Sequence, residues 1–342
     1  ENSEKFKNLK SALNLSWDGF IRTSDKKIHW PVAQELWKRL ENNGDIYKKI
    51  YKGFYCVGHE AFVTKKDLVD GKCVDHQKEP EVIEEENWFF RLSKYTKEIE
   101  SRIKNNELRI VPETRKNEIL SLLNEGLEDI SFSRPRKDLS WGIPVPGDDS
   151  QTMYVWADAL SNYISGRGGI KEWKKYPADI HVIGKDILRF HAAIWPAMLL
   201  SAKLPFPKAI YVHGHILSGG QKMSKSLGNV IDPFELVKKY GVDAVRYFLL
   251  REISSTGDGD FSYEKFEERY NGDLANGLGN LVARVAAIGE KLGDIKLKNS
   301  FFDRLFSSGR KKDLYEKLFN DFKLDKILEK IWEEIHDLDK LI

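Results

Sequence analysis

Ile180-His181-Val182-Ile183-Gly184-Lys185-Asp186 is an apolar run that ends at a glycine and passes straight into a stretch of helical texture, 186–202. Two further apolar runs, Met153 to Trp156 and Ala209 to His213, flank it, with a helical stretch at 157–165 between the first two. Alternating strands and helices are the punctuation of βαβ units, so the sequence predicts an α/β fold containing half of a doubly wound parallel sheet. Ligands in such sheets bind beyond the carboxyl ends of the strands, which places Gly184 and Asp186 at a nucleotide edge. A plain helix N-cap is the structural alternative for Asp186. Ile187, His191 and Trp195 follow at spacings of four and share one helix face beneath that edge. They read as an apolar pocket with one polar handle, the alternative being a core stripe around a satisfied histidine. Trp156, Ala159 and Tyr163 supply an opposite wall. A polarizable thioether suits such a wall, each sulfur–aromatic contact being worth about 0.3–1.5 kcal/mol, although leucine or phenylalanine also fits.

Gln221-Lys222-Met223-Ser224-Lys225-Ser226-Leu227-Gly228-Asn229 lies downstream, with Ser218-Gly219-Gly220 before it. Lysine ammonium groups on flexible stems act as point charges for phosphate oxygens, hydroxyls and backbone N–H groups add donors, and glycines permit closure on a triphosphate. A solvated basic turn is the bland alternative. The order Lys-Met-Ser-Lys-Ser is a hallmark of class I aminoacyl-tRNA synthetases, and the chain resembles that class. Four further stretches narrow the resemblance to the methionyl-tRNA synthetases: Phe89-Phe90-Arg91-Leu92-Ser93-Lys94-Tyr95, Ser140-Trp141-Gly142-Ile143-Pro144-Val145-Pro146-Gly147, Tyr154-Val155-Trp156-Ala157-Asp158-Ala159-Leu160 and His181-Val182-Ile183-Gly184-Lys185-Asp186.

That resemblance implies a methionine–tRNA ligase, which activates methionine with ATP and Mg2+ to methionyl-adenylate and transfers it to tRNA(Met). It implies that Trp156, Ala159, Tyr163, Ile187, His191 and Trp195 line the methionine side-chain pocket and that Arg134 faces the carboxylate or adenylate. It also implies that Gly184, Asp186 and His213 contact ATP, with Lys222 and Lys225 the catalytic lysines of the closing loop. Leu160 stands where several relatives carry proline, which alters the pocket wall slightly.

A chain of 342 residues with 41% hydrophobic content can hold two or three domains, each with its own core. Fifty-five basic against 53 acidic residues leave only +2, so affinity for RNA must come from local patches and not from bulk charge. The longest apolar run, about 194–200, is too short to span a bilayer, and two cysteines without a signal peptide fit a reducing compartment; the expectation is a soluble cytoplasmic protein. Both cysteines sit in matched pairs, Cys56-x2-His59 and Cys73-x2-His76, at the spacing of a tetrahedral zinc knuckle with a structural role. Relatives with a single knuckle usually carry cysteine where His59 stands. Four unmetallated side chains in a rim loop are the alternative.

The expected organisation is 1–47 helices, 48–130 a connective domain with the knuckle, 131–221 the second half of the nucleotide fold, 222–262 the lysine-loop region and 263–342 a helical bundle. In the bundle Leu274, Leu278, Leu281, Val282 and Val285 recur at helical spacing. Asn280 and Arg284, one turn apart, suit hydrogen bonding to unstacked bases, against the alternative of a packing asparagine and a surface arginine. Similarity to the anticodon-reading helix of the family favours the first role, although the family's Pro-Trp step after the bundle is not found and Trp332 reads as an interior residue.

The His-Ile-Gly-His-like element of class I synthetases is also not found. Val212-His213-Gly214-His215 lies on the strand leading into the lysine loop and is a different element. The expectation is therefore an internal portion of a longer enzyme, inactive as an isolated chain. Rival readings are a leucyl-, isoleucyl- or valyl-tRNA synthetase, for which the insertion at about 48–130 is too small to hold an editing domain, and a non-catalytic tRNA-binding module.

Overall fold

A computed structural model describes residues 2–57, 61–63, 68–73, 78–224, 228–292 and 309–341. Helices α1 (Asn2–Ala12) and α2 (His29–Asn42) lead into a long hairpin of β1 (Ile46–Cys56) and β5 (Glu81–Phe90), with β2 (Ala61–Val63), β3 (Leu68–Val69) and β4 (Lys72–Cys73) in the excursion between them. α3 (Thr96–Lys104), β6 (Arg109–Val111) and α4 (Glu113–Glu125) follow, then the short strands β7 (Ile130–Ser131), β8 (Ser133–Pro135), β9 (Pro144–Val145) and β10 (Asp148–Met153). α5 (Val155–Gly166), α6 (Ile170–Lys175), β11 (Ile180–Gly184), a π turn at Phe190–Ile194 with α7 (Trp195–Ser201) and β12 (Ala209–His213) form the α/β portion. β13 (Ile216–Ser218), β14 (Gln221–Lys222), α8 (Pro233–Tyr240), α9 (Val242–Arg251) and β15 (Gly259–Phe261) come next. α10 (Tyr263–Arg269), a π segment at Tyr270–Gly279, α11 (Asn280–Leu292), α12 (Gly309–Asn320) and α13 (Leu324–Leu341) complete the described chain.

The parallel sheet has the order β11-β12-β6, in register from Ile180↔Ala209 to Gly184↔His213 and from Ala209↔Arg109 to Tyr211↔Val111. Two local readings need correction here. Met153 to Trp156 is not a parallel strand: β10 ends at Met153, pairs antiparallel with β8 and β9, and helix α5 starts at Val155. Residues 109–111, inside a stretch that reads as charged helices, form the third parallel strand instead. A three-residue strand carries almost no period of its own, so its partner decides its state. The hairpin of β1 and β5 runs from Ile46↔Phe90 to Tyr55↔Glu81.

The main core lies around α2, α5 and α7. α2 buries Ala33, Leu36, Trp37 and Leu40, a helical stripe, and each large buried apolar side chain contributes about 1.5–3 kcal/mol. α5 packs against α2 with Leu160 and Ile164. His29, fully buried, locks the pair: Nε2 meets Asp158 Oδ1 at 2.7 Å and Nδ1 meets Ser165 Oγ at 2.7 Å, so both ring nitrogens are satisfied. Asp45 does the same for three other elements. Its buried carboxylate accepts from Lys94 Nζ at 2.7 Å, Tyr95 Oη at 2.5 Å, Ser201 Oγ at 2.7 Å and Asn43 Nδ2 at 3.1 Å. Burial pushes that carboxyl up, but the donors, Lys94 foremost, hold it below the ordinary carboxylate value. The end of α2, the start of α3 and the end of α7 are thereby pinned to one point.

Two helices begin where side chains close their first turns. Asp232 accepts from Phe234 N ahead of Pro233 in α8, and Ser262 accepts from Lys265 N at the start of α10. The expected apolar stripe of the terminal bundle is buried only at Leu281; Leu278, Val282 and Val285 face outward among the described residues. No described helix is long and apolar enough to cross a membrane.

Candidate active site

Strand β11 presents alternate side chains to the two faces of the sheet, and only His181 and Ile183 point inward, with Ile180 and Val182 outward. The chain then leaves the sheet at Gly184, which pairs with His213 on β12. A Cβ at Gly184 would sit 2.9 Å from Asp186 Oδ1 and 3.8 Å from His213 Cε1, so the three residues assigned to a nucleotide edge share one spot. Asp186 is exposed, and its carboxylate lies 3.6 Å from His215 Nε2 and 3.7 Å from the Lys222 ammonium. Burial raises its pKa, but its own backbone N–H and then His215 outweigh this and hold it low. His213 donates from Nδ1 to the Gly214 carbonyl at 2.8 Å, which leaves Nε2 as the acceptor. Lys225, the second lysine of the loop, lies outside the described residues.

Behind this edge the structure gathers the aromatic wall. Tyr163 Oη and His191 Nε2 are 2.8 Å apart, and His191 Nδ1 lies 2.9 Å from the Ile187 carbonyl. A carbonyl can only accept, so Nδ1 carries the proton and Nε2 accepts from the Tyr163 hydroxyl. Burial keeps the imidazole neutral by lowering its pKa below the ordinary 6.5, and pushes the Tyr163 phenol up to about 12. Trp156 stands edge-on to His191, with ring centroids 6.0 Å apart. Trp195 lies 5.9 Å from Tyr163. Ala159 lies half-buried one turn before Tyr163 on α5, and Ile187 is half-buried at the turn that leaves β11. Trp156, Tyr163, His191 and Trp195, from the two stretches expected to wall the pocket, thus meet on two facing elements.

Arg134 reaches the rim of this group through Tyr154, over whose ring its guanidinium sits at 4.6 Å. Its Nη1 donates to Ser131 Oγ at 2.9 Å and the Ser133 carbonyl at 2.7 Å. Three participants escape a reading by helical spacing. His181 accepts from Trp195 Nε1 at 3.1 Å, packs tilted against the Tyr163 ring at 4.0 Å and is kept neutral by burial, its pKa falling to about 3. Trp173 packs edge-on against Trp195 at 5.8 Å. Phe190 stacks on Trp156 at 3.8 Å and 9°. A π turn opens at Phe190 and runs to Ile194, which breaks the regular helical spacing along this stretch. For His181, strand alternation from Ile183 is the available signal.

At the rim, Cys56 and Cys73 are both buried in one small cluster with Val63. His59 and His76 lie outside the described residues. Asn280 and Arg284 are exposed and line one surface of α11 with Ala283 and Ala287. Arg284 is ion-paired with Asp339 of α13, a partner that local spacing does not reveal. Trp332 is half-buried, edge-on to Tyr247 at 5.7 Å, and its ring closes on Gly277.

Residues 1–74 and 63–286 match the family described as tRNA synthetases class I (M). The methionine–tRNA ligase of Thermotoga maritima is 44% identical over 354 aligned positions, covering 99% of this chain and 56% of the relative. That of Brucella suis is 48% identical over 291 positions, covering 83% and 56%. Among solved structures, Mycobacterium tuberculosis methionyl-tRNA synthetase bound by methionyl-adenylate superposes with a TM-score of 0.88 at 40% identity, covering 99% of this chain and 69% of that one. The chain spans about half the length of the curated relatives it matches. With the parallel sheet, the lysine hairpin and the terminal helices in place over this matched length, the chain belongs to the class I (M) family of tRNA synthetases.

Proposed function

We propose that this chain carries the methionine pocket and one side of the ATP site of a methionine–tRNA ligase. The observation that carries the reading is the neutral Tyr163–His191 pair, walled by Trp156 and Trp195 and set directly behind the Gly184, Asp186 and His213 edge. A neutral, aromatic, donor-poor box selects a long uncharged side chain and rejects charged ones, because an ion buried there would lack a partner. Ala159 leaves room for such a side chain along α5, and Ile187 closes its base.

The reaction is attack of a methionine carboxylate oxygen on the α-phosphorus of ATP, forming the O–P bond while pyrophosphate leaves with the electron pair of the broken bond. The adenylate's methionyl group then passes to the terminal ribose hydroxyl of tRNA(Met). Catalysis is mostly positioning and charge stabilisation. Arg134 would serve the carboxylate or adenylate from the rim. Gly184 gives backbone access to the nucleotide, Asp186 and His213 bind its polar groups, and Lys222 with Lys225 meets the departing phosphates, Mg2+ accompanying ATP. Asn280 and Arg284 present donors for anticodon bases, with the Asp339 ion pair opening to free the guanidinium.

Methionine-dependent exchange of labelled pyrophosphate into ATP by the full-length protein tests this reading. Exchange driven by methionine and not by leucine, isoleucine or valine is expected; exchange driven equally by those amino acids would support the rival synthetases, and none with any amino acid would support a binding module.

The co-burial of Cys56 and Cys73 fits a closed site in which two thiolates are the soft half of a zinc set completed by His59 and His76. Zinc there would tie the excursion between β1 and β5 together. Elemental analysis is expected to return close to one zinc per chain, lost in Cys56→Ser/Cys73→Ser, with pocket activity less affected than thermal stability. Metal-free protein of unchanged stability would refute the site.

A further inference from the structure

The segment Asp258-Gly259-Asp260, at the start of β15, has no part in the site described above, yet it touches both halves of the nucleotide edge. Asp258 Oδ2 pairs with Lys185 Nζ at 2.7 Å, and Lys185 lies between Gly184 and Asp186. Its other oxygen, Oδ1, accepts from the His215 backbone N–H at 2.9 Å, just past the end of β12. Asp260 Oδ1 accepts from Gly220 N at 2.8 Å, in the glycine turn that joins β13 to β14. Side chains two apart on an extended segment point the same way, so one stretch presents both carboxylates to one side. Between them Gly259 N donates to the His215 carbonyl at 3.0 Å, and β15 continues in parallel register along β13, Ile216↔Gly259 to Ser218↔Phe261.

The approach is close enough to exclude side-chain play. A Cβ on Gly214 would overlap the Gly257 carbonyl and the Asp258 backbone nitrogen. β14, paired to β13, carries Lys222, whose ammonium reaches Asp186 at 3.7 Å. Residues 257–260 thus tie the parallel sheet to the lysine hairpin beside the direct contact of Lys222 with Asp186.

We propose that Asp258 and Asp260 are positioning residues that hold the lysine-bearing hairpin in register with the carboxyl edge of the parallel sheet. Asp258 fixes the Gly184-Lys185-Asp186 turn and the exit of β12 to one another. Asp260 fixes the glycine turn of the hairpin, so that Lys222 faces a phosphate chain bound at that edge. The consequence for catalysis rests on the ATP-site reading above. Both carboxylates act through other groups and touch no substrate.

The test uses Asp258→Asn, which retains an acceptor for His215 N–H but removes the charge facing Lys185, and Asp260→Ala, which removes the Gly220 acceptor. Losing a charge-assisted hydrogen bond of this kind shifts an equilibrium by about tenfold or more. In pyrophosphate exchange by the full-length protein, each variant is expected to raise the KM for ATP about tenfold and leave the KM for methionine within about twofold. Amide hydrogen exchange supplies an arm independent of chemistry. In Asp260→Ala the Gly220 amide, and in Asp258→Ala the His215 amide, are expected to exchange about tenfold faster than in the parent, with melting temperature little changed. A parent protein without methionine-dependent exchange overturns the functional reading, and the amide arm then still decides the clamp. Unchanged protection at Gly220 and His215 overturns the clamp. So does a parallel rise in both KM values with a lowered melting temperature, which marks a purely structural loss.

Discussion

Replacing His191 by alanine in the full-length protein is expected to raise the KM for methionine about 30-fold, and Trp156→Ala about 100-fold, with the KM for ATP moving less than threefold. The asymmetry follows from geometry. His191 and Trp156 stand together behind the sheet edge, whereas the proposed ATP site is the edge itself at Gly184 and His213. His191→Ala also strips the Tyr163 hydroxyl of its 2.8 Å acceptor and leaves a buried donor unpaired, which is why the effect exceeds that of lost contact area. Tyr163→Phe removes only the hydroxyl donor, leaves the His191 Nε2 acceptor without it but keeps both rings in place, and is expected to be milder. Steady-state pyrophosphate exchange with each substrate varied in turn measures the split, and equal changes for both substrates would rule out the pocket.

The pH dependence has a defined sign. His181 and His191 are neutral in the folded protein because burial lowers both pKa values, that of His181 to about 3 from 6.5. The unfolded chain binds these protons more readily, so the contribution of the two imidazoles to stability is complete above about pH 6.5 and declines as pH falls toward the folded values. Methionine binding is accordingly expected to stay flat from pH 7 upward, since neither ring gains a charge there.

Gly214→Ala is expected to cost about 3 kcal/mol or more, lowering the melting temperature by about 5–10 °C, and to reduce pyrophosphate exchange more than a hundredfold. The added methyl group meets backbone atoms of Gly257 and Asp258, not the end of a flexible side chain, so relief requires the 254–258 turn to retreat. That retreat pulls the Asp258 carboxylate from Lys185 and the His215 amide, and draws β15 away from β13. Gly272→Ala is the control, because a Cβ there meets nothing within 4 Å. Calorimetric unfolding of both variants decides the matter: a Gly214→Ala protein as stable as Gly272→Ala would mean that the turn yields freely.

Much of this molecule could be read along the chain. Helix α8 begins at Pro233 and ends at Tyr240 where the proline and the glycine after it say it must, because capping and breaking are local. The Ile187, His191 and Trp195 face and the Trp156, Ala159 and Tyr163 face were legible for the same reason: helical spacing states which side chains stand together on one element. It does not state what lies opposite. That Tyr163 meets His191, that the strand residue His181 accepts a hydrogen bond from the Trp195 indole, and that Phe190 stacks on Trp156 are outcomes of packing between elements.

Pairing across long sequence separations was the harder part. β6 has three residues and no period to announce it, and becomes a strand because Ala209 to Tyr211 offers a ladder to fill. Asp258 and Asp260 look like turn carboxylates until the parallel register of β15 on β13 carries them to Lys185, His215 and Gly220. Arg284 looks free for RNA until α13 folds back and brings Asp339 to it. Sequence by itself determined the α/β class and the end of the β11 strand at Gly184, since each rests on periodicity and local backbone preference. Tertiary structure alone decided the tautomer of His191, the strand state of 109–111 and the clamp at 257–260, because hydrogen bonds between distant segments depend on how whole elements are registered against one another.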